Sequence, residues 1–521
     1  MLLKKREAGL LPAWKPPKKR SNWYGKLYKE QKQAANFILS RIRDSGGVGL
    51  FSEQGTGKTH IACAVIEQLD PQLTLIIAPL TSLDITWHPR LLTLPGQLVR
   101  QHKQVKGLPG PVTLLIHPEY LVKFSKAIVK IPWDLVIWDE SQGIKDRNSR
   151  RSRAARRLRD HRRRLVLSGT PIDKSQIDVW AQMRFIDHTV FGEKWGDFAD
   201  EYCRKGGWMN HKWIFRKSRH KQFLKAIEDH IFRLSKKFME LPPLTINPVP
   251  VVMFGDQARL YEEMSENSII EIEGKKIIAS MAGVRDVKKS QITGGLVLDD
   301  EGKVHRTGFA KIRKFKQLLP KLKKPIVVFC QYLHEIKDIV DNLKGFKTVV
   351  LKGSVKGEER SQVLRDFQAG KYDAIVCQLR TGGVSIELSR SCNMVLYSFN
   401  YSYIDFEQIF ARLHRGGQKN EVTVWVLYCV DTIDEEKIDV IKEKASVAKS
   451  VLNHFEERKM AKEVKKVEKK KALGVPELAK LMKLEEQTVR LKLRAAKVKK
   501  AGKGYSFTDT EMKSLAKKLV A

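Results

Sequence analysis

Short apolar runs at residues 48–51, 73–78, 112–116, 135–138 and 165–167 are rich in Val, Ile or Leu, and longer stretches of helix-like composition separate them. Continuous apolar strands that alternate with helices make a parallel sheet covered on both faces. The alternation resumes at 326–329, 348–351, 374–377, 394–397 and 422–427, which predicts a second α/β lobe. Residues 172–320, between the two sets, read as more helical than stranded. Leu241-Pro242-Pro243 marks a boundary between the lobes, because proline breaks both element types. Past residue 440 the composition shifts. Residues 441–471 form a Lys/Glu-rich helical linker, and 472–521 read as a small helical module. No internal repeat at solenoid periods is visible.

Charge narrows the function classes. A formal net charge of +38 over 521 residues calls for an anionic partner, most simply nucleic acid. The six cysteines form no CxxC pair, so neither a zinc site nor a disulfide framework is indicated, and reduced thiols fit. The basic start, residues 1–24, lacks the apolar core of a signal peptide. No apolar run is long enough to span a membrane, so no membrane partner is expected. Pro16-Pro17-Lys18-Lys19-Arg20 reads either as a nuclear address or as a flexible tail touching phosphates.

The chemistry begins after the first predicted strand. Ser52-Glu53-Gln54-Gly55-Thr56-Gly57-Lys58-Thr59 enters a predicted helix there. Gly55, Thr56 and Gly57 let backbone N–H groups close around phosphates, and a helix N-terminus adds positive potential. Lys58 is placed to reach the outer phosphates and Thr59 to ligate Mg²⁺, which implies ATP and Mg²⁺ as bound species. Ser52 stands where the strict motif carries glycine. Asp139-Glu140 ends an apolar run; the first acid suits Mg²⁺, and the second suits polarising the attacking water. Ser168-Gly169-Thr170-Pro171 ends the next strand and suits sensing of phosphate state, or else a tight turn.

Residues 408–418 (QIFARLHRGGQ) carry the complementary charge. On a helix, Gln408, Arg412 and Arg415 share one face, and Gly416-Gly417 would stop that helix. Such a face suits a phosphate that gains charge during reaction, although a solvated basic helix end is the plain alternative.

These segments, in this order, resemble the Snf-type (sucrose non-fermenting) superfamily-two helicase-like ATPases. Residues 27–31 (LYKEQ) look like the family's adenine-reading segment, with Gln31 as reader. Residues 75–87 (LIIAPLTSLDITW), 139–146 (DESQGIKD) and 167–172 (LSGTPI) resemble its next blocks. So do the basic segment 232–243, Gln257 to Tyr261, residues 353–367 with Arg360, the fifth motif 381–388 containing Gly383, and the sixth, 408–418. Five positions depart from the pattern. Ser141-Gln142 replaces Ala-His, Glu387 an asparagine, Ser398 an aspartate and Tyr401 a tryptophan.

The resemblance covers about residues 25–440. It implies two RecA-like P-loop lobes, 25–245 and 246–440, the second with a helical insertion before about 320, and an ATP site between them. Lys58, Asp139 and Glu140 would act from one lobe, Arg412 and Arg415 from the other. Gln31, Gly55, Thr56, Gly57, Lys58, Thr59 and Gly383 would bind nucleotide, and Thr59 and Asp139 the metal. The implied activity is ATP-driven movement along duplex DNA; a DNA-binding protein with a degenerate ATPase core and an RNA helicase are the alternatives. Partners from replication, recombination or transcription would fit. The compact form looks like prokaryotic or bacteriophage versions, hence cytoplasmic, or nuclear in a eukaryote.

Three accessory features stay open. Nine arginines lie between Arg150 and Arg164, as a solvated helix or a phosphate contact. Trp208 and Trp213, among Lys205, Lys212 and Arg216, either stack on bases or pack internally. Residues 475–496 resemble a helix-turn-helix that would offer Gln487, Thr488, Arg490, Lys492 and Arg494 to DNA, or else a protein-docking module.

Overall fold

A computed structural model describes residues 22–449, apart from 44–45, 174, 207–211, 356 and 380–385, together with residue 493. The chain divides into two compact units, Met1–Leu452 and Asn453–Ala521. The segment read as a helix-turn-helix, apart from residue 493, lies outside the described residues, as do most of the charged linker, residues 1–21, Trp208 and Gly383.

Each apolar run becomes a strand. In the first half these are β1 (Gly46–Ser52), β2 (Leu73–Ile77), β3 (Gln97–Val99), β4 (Val112–Ile116), β5 (Leu135–Asp139) and β6 (Arg163–Ser168), followed by the hairpin β7 (Cys203–Gly206) and β8 (Lys212–Phe215), and by β9 (Ile231–Leu234). A seven-stranded sheet runs β3-β4-β2-β5-β6-β1-β9, and its neighbouring pairs are parallel. β5 is buried along its whole length, as a strand covered on both faces should be. Helices Lys29–Ile42 and Lys58–Leu69 contribute Ala34, Ile38, Ile61 and Val65 to the core beside Val48 and Leu50.

In the second half lie β10 (Leu244–Val251), the hairpin β11 (Ile269–Ile272) and β12 (Lys275–Ile278), the hairpin β13 (Leu296–Leu298) and β14 (Val304–Arg306), then β15 (Ile326–Cys330), β16 (Thr348–Leu351), β17 (Ala374–Gln378), β18 (Asn393–Leu396) and β19 (Val422–Cys429). A second, six-stranded sheet runs β10-β19-β18-β15-β17-β16, again with parallel pairs. The 241–243 proline run falls between β9 in the first sheet and β10 in the second.

The helical reading of 172–320 needs correction. Helices Ile177–Ile186, Trp195–Tyr202, Asp256–Glu266, Ala282–Thr293 and Ala310–Leu318 are present, but β7 to β14 lie there too. Most of those strands are four residues or shorter and half-exposed, so they carry no continuous apolar run.

The arginine-rich stretch is not one solvated helix. Only Arg150–Arg156 is helical within it. Arg163 and Arg164 belong to β6 and donate to carbonyls at the ends of neighbouring helices, Arg163 Nε to Arg43 O at 2.8 Å and Arg164 Nε to Phe185 O at 2.9 Å. Arg157 donates to Ser125 Oγ, and Arg151 pairs with Glu119. These arginines tie elements together through side-chain donors. Trp213 packs edge-on against Trp195 with Lys205 over its ring, which is the packing reading.

Candidate nucleotide site between the two sheets

The loop from Ser52 to Lys58 leaves the C-terminal end of β1 and enters helix Lys58–Leu69 through Gly57. Gly55 and Gly57 both have φ of 86°, a left-handed conformation that side-chain-bearing residues rarely adopt. A Cβ on Gly57 would come within 2.5 Å of Gln31 Nε2, and one on Gly55 within 3.1 Å of Arg415 Cβ. The loop is therefore a cradle with room for backbone only. Its shape is held by Ser52 Oγ and Thr56 Oγ1, 2.7 Å apart, and by Thr56 Oγ1 donating to Glu53 O. Ser52 Oγ also lies 3.2 Å from Leu234 O, so the serine in place of glycine anchors the loop to β9.

Lys58 is buried, and its ammonium donates to the Ser52 and Glu53 carbonyls at 3.2 and 3.4 Å. Burial pulls its pKa down, while Glu140 and Asp139 oppose that shift. Thr59 follows in the first turn, half-buried. Gln31 commits both ends of its amide, Nε2 to Thr56 O at 2.9 Å and Oε1 to Tyr28 N–H at 3.0 Å. In this structure it braces the loop.

Asp139 is the last residue of β5 and is buried. Its Oδ2 accepts from Trp87 Nε1 at 2.9 Å and from Ser82 Oγ at 3.3 Å, and its Oδ1 accepts from Glu140 N–H. Burial and then the Glu140 charge raise its pKa to about 6. Glu140 itself has φ of 53°, a strained backbone of the sort found at working sites. Gln142 Nε2 donates to Glu140 Oε2 at 2.8 Å, and Gln142 Oε1 accepts from Ser168 Oγ at 2.9 Å. Gln142, where the family pattern carries histidine, thus joins the acid pair to the Ser168-Gly169-Thr170 turn.

Helix Tyr403–Leu413 carries Gln408 and Arg412, both buried. The expectation of one helical face through Arg415 fails. The helix ends at Leu413, and His414 leaves helical geometry with φ −90° and ψ 81°. Gln418 Nε2 donates to the carbonyls of Ser389, Ser391 and Leu413, so a side chain, and not the two glycines, satisfies the helix end. Arg415 sits in the following turn, beside Gly55.

Groups from both sheets meet here. The Arg412 charge acts on Lys58. Burial lowers the pKa of Arg412 to about 10, and Glu140 opposes the shift. Burial, then Arg90 and Arg415, hold His60 down at about 4. Lys58, Asp139, Glu140, Arg412 and Arg415 therefore form one electrostatic cluster. The acids and Lys58 come from the first sheet, and the arginines follow β18 of the second.

Three partners escaped the sequence reading. The Glu53 carboxylate accepts from Arg233 Nη2 at 3.1 Å and Lys236 N–H at 2.9 Å, and Lys236 Nζ reaches His414 O at 2.9 Å. Burial brings the Lys236 pKa to about 8. About 180 residues separate Glu53 from these cations, so no local spacing announces the link. Their opposite charges were the available signal.

Comparison with known proteins gives the family. A family model described as SNF2-related domain matches residues 30–293, and one for the helicase conserved C-terminal domain matches 310–417. An uncharacterized ATP-dependent helicase of Mycoplasma genitalium, MG018, is 24% identical over 83% of this chain and 43% of its own length. Nuclear protein STH1/NPS1 of Saccharomyces cerevisiae is 24% identical over 84% of this chain and 36% of its own length. The chain thus spans less than half the length of these relatives. The SWI2/SNF2 ATPase core of Sulfolobus solfataricus, solved in complex with dsDNA, aligns over 85% of this chain and 95% of its own, at 20% identity and a TM-score of 0.40.

Proposed function

The chain belongs to the SNF2-related family of helicase-like ATPases, and from that premise we propose that it hydrolyses ATP in a DNA-dependent manner and uses the cycle to move along duplex DNA. The observation that carries this reading is the meeting of Arg412 and Arg415 with Lys58 and Glu140 across two separate sheets. A site split between two bodies makes hydrolysis depend on their approach, and release depend on their separation.

The residues present fit the expected species. The positive-φ glycines leave room for phosphates against backbone, and Lys58 can exchange its carbonyl partners for phosphate oxygens. Gln54 Nε2 is a further buried donor without a partner among the described residues. Thr59 and Asp139 would hold Mg²⁺, a hard cation suited to hydroxyl and carboxylate oxygens, which would neutralise phosphate charge. Glu140, steadied by Gln142, would orient and polarise the attacking water. Arg412 and Arg415 would stabilise the charge that develops on the transferred phosphoryl oxygens.

The net charge of +38 supports a polyanionic track, and the relatives' names include helicases and a nuclear protein. Within the same proposal we assign a role in DNA contact to residues 472–521, whose sequence resembles a helix-turn-helix, and retain 25–245 and 246–440 as its two lobes.

Steady-state ATP hydrolysis measured with duplex DNA, single-stranded DNA and RNA tests the reading. Duplex DNA should stimulate most, and Glu140→Gln should lower the stimulated rate by about 10²-fold or more. Strongest stimulation by RNA would favour an RNA helicase. DNA binding indifferent to ATP, without turnover, would favour a degenerate core.

A further inference from the structure

Away from the nucleotide cradle, the first sheet carries a second feature on the same edge. In parallel α/β sheets ligands collect beyond the carboxyl ends of the strands. Gln101, His102 and Lys103 follow β3, and His117 follows β4, so they lie beyond those ends, as the phosphate loop lies beyond β1. With helix Pro118–Ile128 they enclose a cleft of about 560 Å³, within the span of roughly 300–1,000 Å³ common for ligand sites.

The cleft is aromatic inside and cationic at its edge. The Tyr120 and Phe124 rings are 4.6 Å apart, and the His102 ring lies 5.0 Å from Phe124 with Nδ1 3.0 Å from the Tyr120 hydroxyl. All three are only half-buried, so they face the cleft without being sealed into a core. The helix leaves regular geometry at Phe124, with φ −113° and ψ 19°, in the sparsely populated region that functional residues often occupy. Lys103 and Lys123 are exposed at the walls, and Lys123 Nζ stands 5.2 Å over the Phe124 ring. The acid beside the cleft, Glu119, is paired with Arg151 and His117, which leaves the lysines as the charge available to a ligand.

Half-open aromatic faces flanked by lysines match one chemistry well: a flat base to stack and a phosphate to neutralise. We propose that this cleft receives an unpaired nucleobase of a DNA strand, stacked against Tyr120 and Phe124, with the adjoining phosphates held by Lys103 and Lys123. The proposal rests on the DNA reading above and adds to it a point where the protein grips a base as well as the backbone. A fully paired duplex offers only its phosphates to such a cleft, so bulged, damaged or frayed sites would be held preferentially.

The test uses the full chain and two duplexes, one fully paired and one carrying a single bulged 2-aminopurine. Fluorescence reports stacking of the bulged base, and anisotropy reports binding. The wild type should quench the bulged 2-aminopurine and bind that duplex more tightly than the paired one. Tyr120→Leu keeps apolar bulk but removes the ring. It should lose the quenching and weaken bulge binding by about 5–100-fold, the worth of one base–aromatic stack, with paired-duplex affinity little changed. Lys103→Ala/Lys123→Ala should weaken both duplexes while residual quenching persists. A thermal unfolding midpoint close to wild type qualifies each variant. If paired duplex stimulates hydrolysis but the bulged base stays unquenched, or Tyr120→Leu quenches equally, the base site is wrong and the DNA reading stands. If neither duplex binds, both fall.

Discussion

At the scale of single residues the site depends on placing groups where folding alone would not. Asp139 is a carboxylate at a fully buried strand end with another acid beside it. Its pKa of about 6 lies above the ordinary carboxylate value of 3.8. The fold therefore favours the protonated form, and the ionised form costs stability at pH above about 6. That cost disappears as pH falls through 6 toward 4. Without added Mg²⁺, Asp139→Asn should be more stable than wild type at pH 8, by roughly 1–3 kcal/mol, with the gain shrinking toward pH 4. Thermal melts across that pH range measure it, and a variant less stable at pH 8 would contradict the burial argument. Gln142 poses a positioning question. It holds Glu140 and Ser168 at once, so Gln142→Ala should lower kcat by about 10–100-fold, the usual cost of losing a supporting hydrogen bond, with little change in KM for ATP. Gln142→His should restore much of the rate. A KM effect without a kcat effect would assign the residue to binding.

At the scale of elements, packing decides. β1 must run close to helix Ile177–Ile186 for the phosphate loop to sit where it does. A Cβ on Gly47 would strike the Ile186 backbone carbonyl, which cannot swing aside as a side-chain tip can. Gly47→Ala should therefore destabilise by about 1–3 kcal/mol, read in denaturant unfolding; an unchanged midpoint would show that the helix can shift. The strands that build both sheets were legible because burial on two faces demands continuous Val, Ile and Leu, as in β5 and β15. β10 was not legible. It is an edge strand with Pro248 and Pro250 and mixed burial, and proline is tolerated where no ladder bond is needed. The site divided in the same way. The phosphate loop and acid pair announce themselves because their chemistry needs fixed residues at fixed spacing. Arg415 was found by its motif but assigned to a helix that ends two residues earlier, because a glycine stop was visible in sequence and the Gln418 amide cap was not. Lys236 and Glu53 were invisible as partners because tertiary folding alone joins them.

At the scale of the whole molecule, the segment after β18 meets the first sheet at the nucleotide cradle. Arg415 packs beside Gly55, Lys236 reaches His414 O, and His414 Nε2 lies 2.8 Å from Pro242 O. The last two contacts tie the segment between the sheets to the turn that holds Arg415, so motion of that turn is coupled to the connecting chain. No helix among the described residues is long and apolar enough to cross a membrane. Arginines that follow β18 of the second sheet would complete an ATP site built on the first. The direct measurement pairs ATP affinity with DNA-stimulated turnover in Arg415→Ala. Affinity should stay within a few-fold of wild type and kcat should fall by about 10³-fold, as for loss of an arginine that stabilises phosphoryl-transfer charge. Turnover unchanged in that variant would contradict it, and would return residues 408–418 to the role of a solvated basic segment.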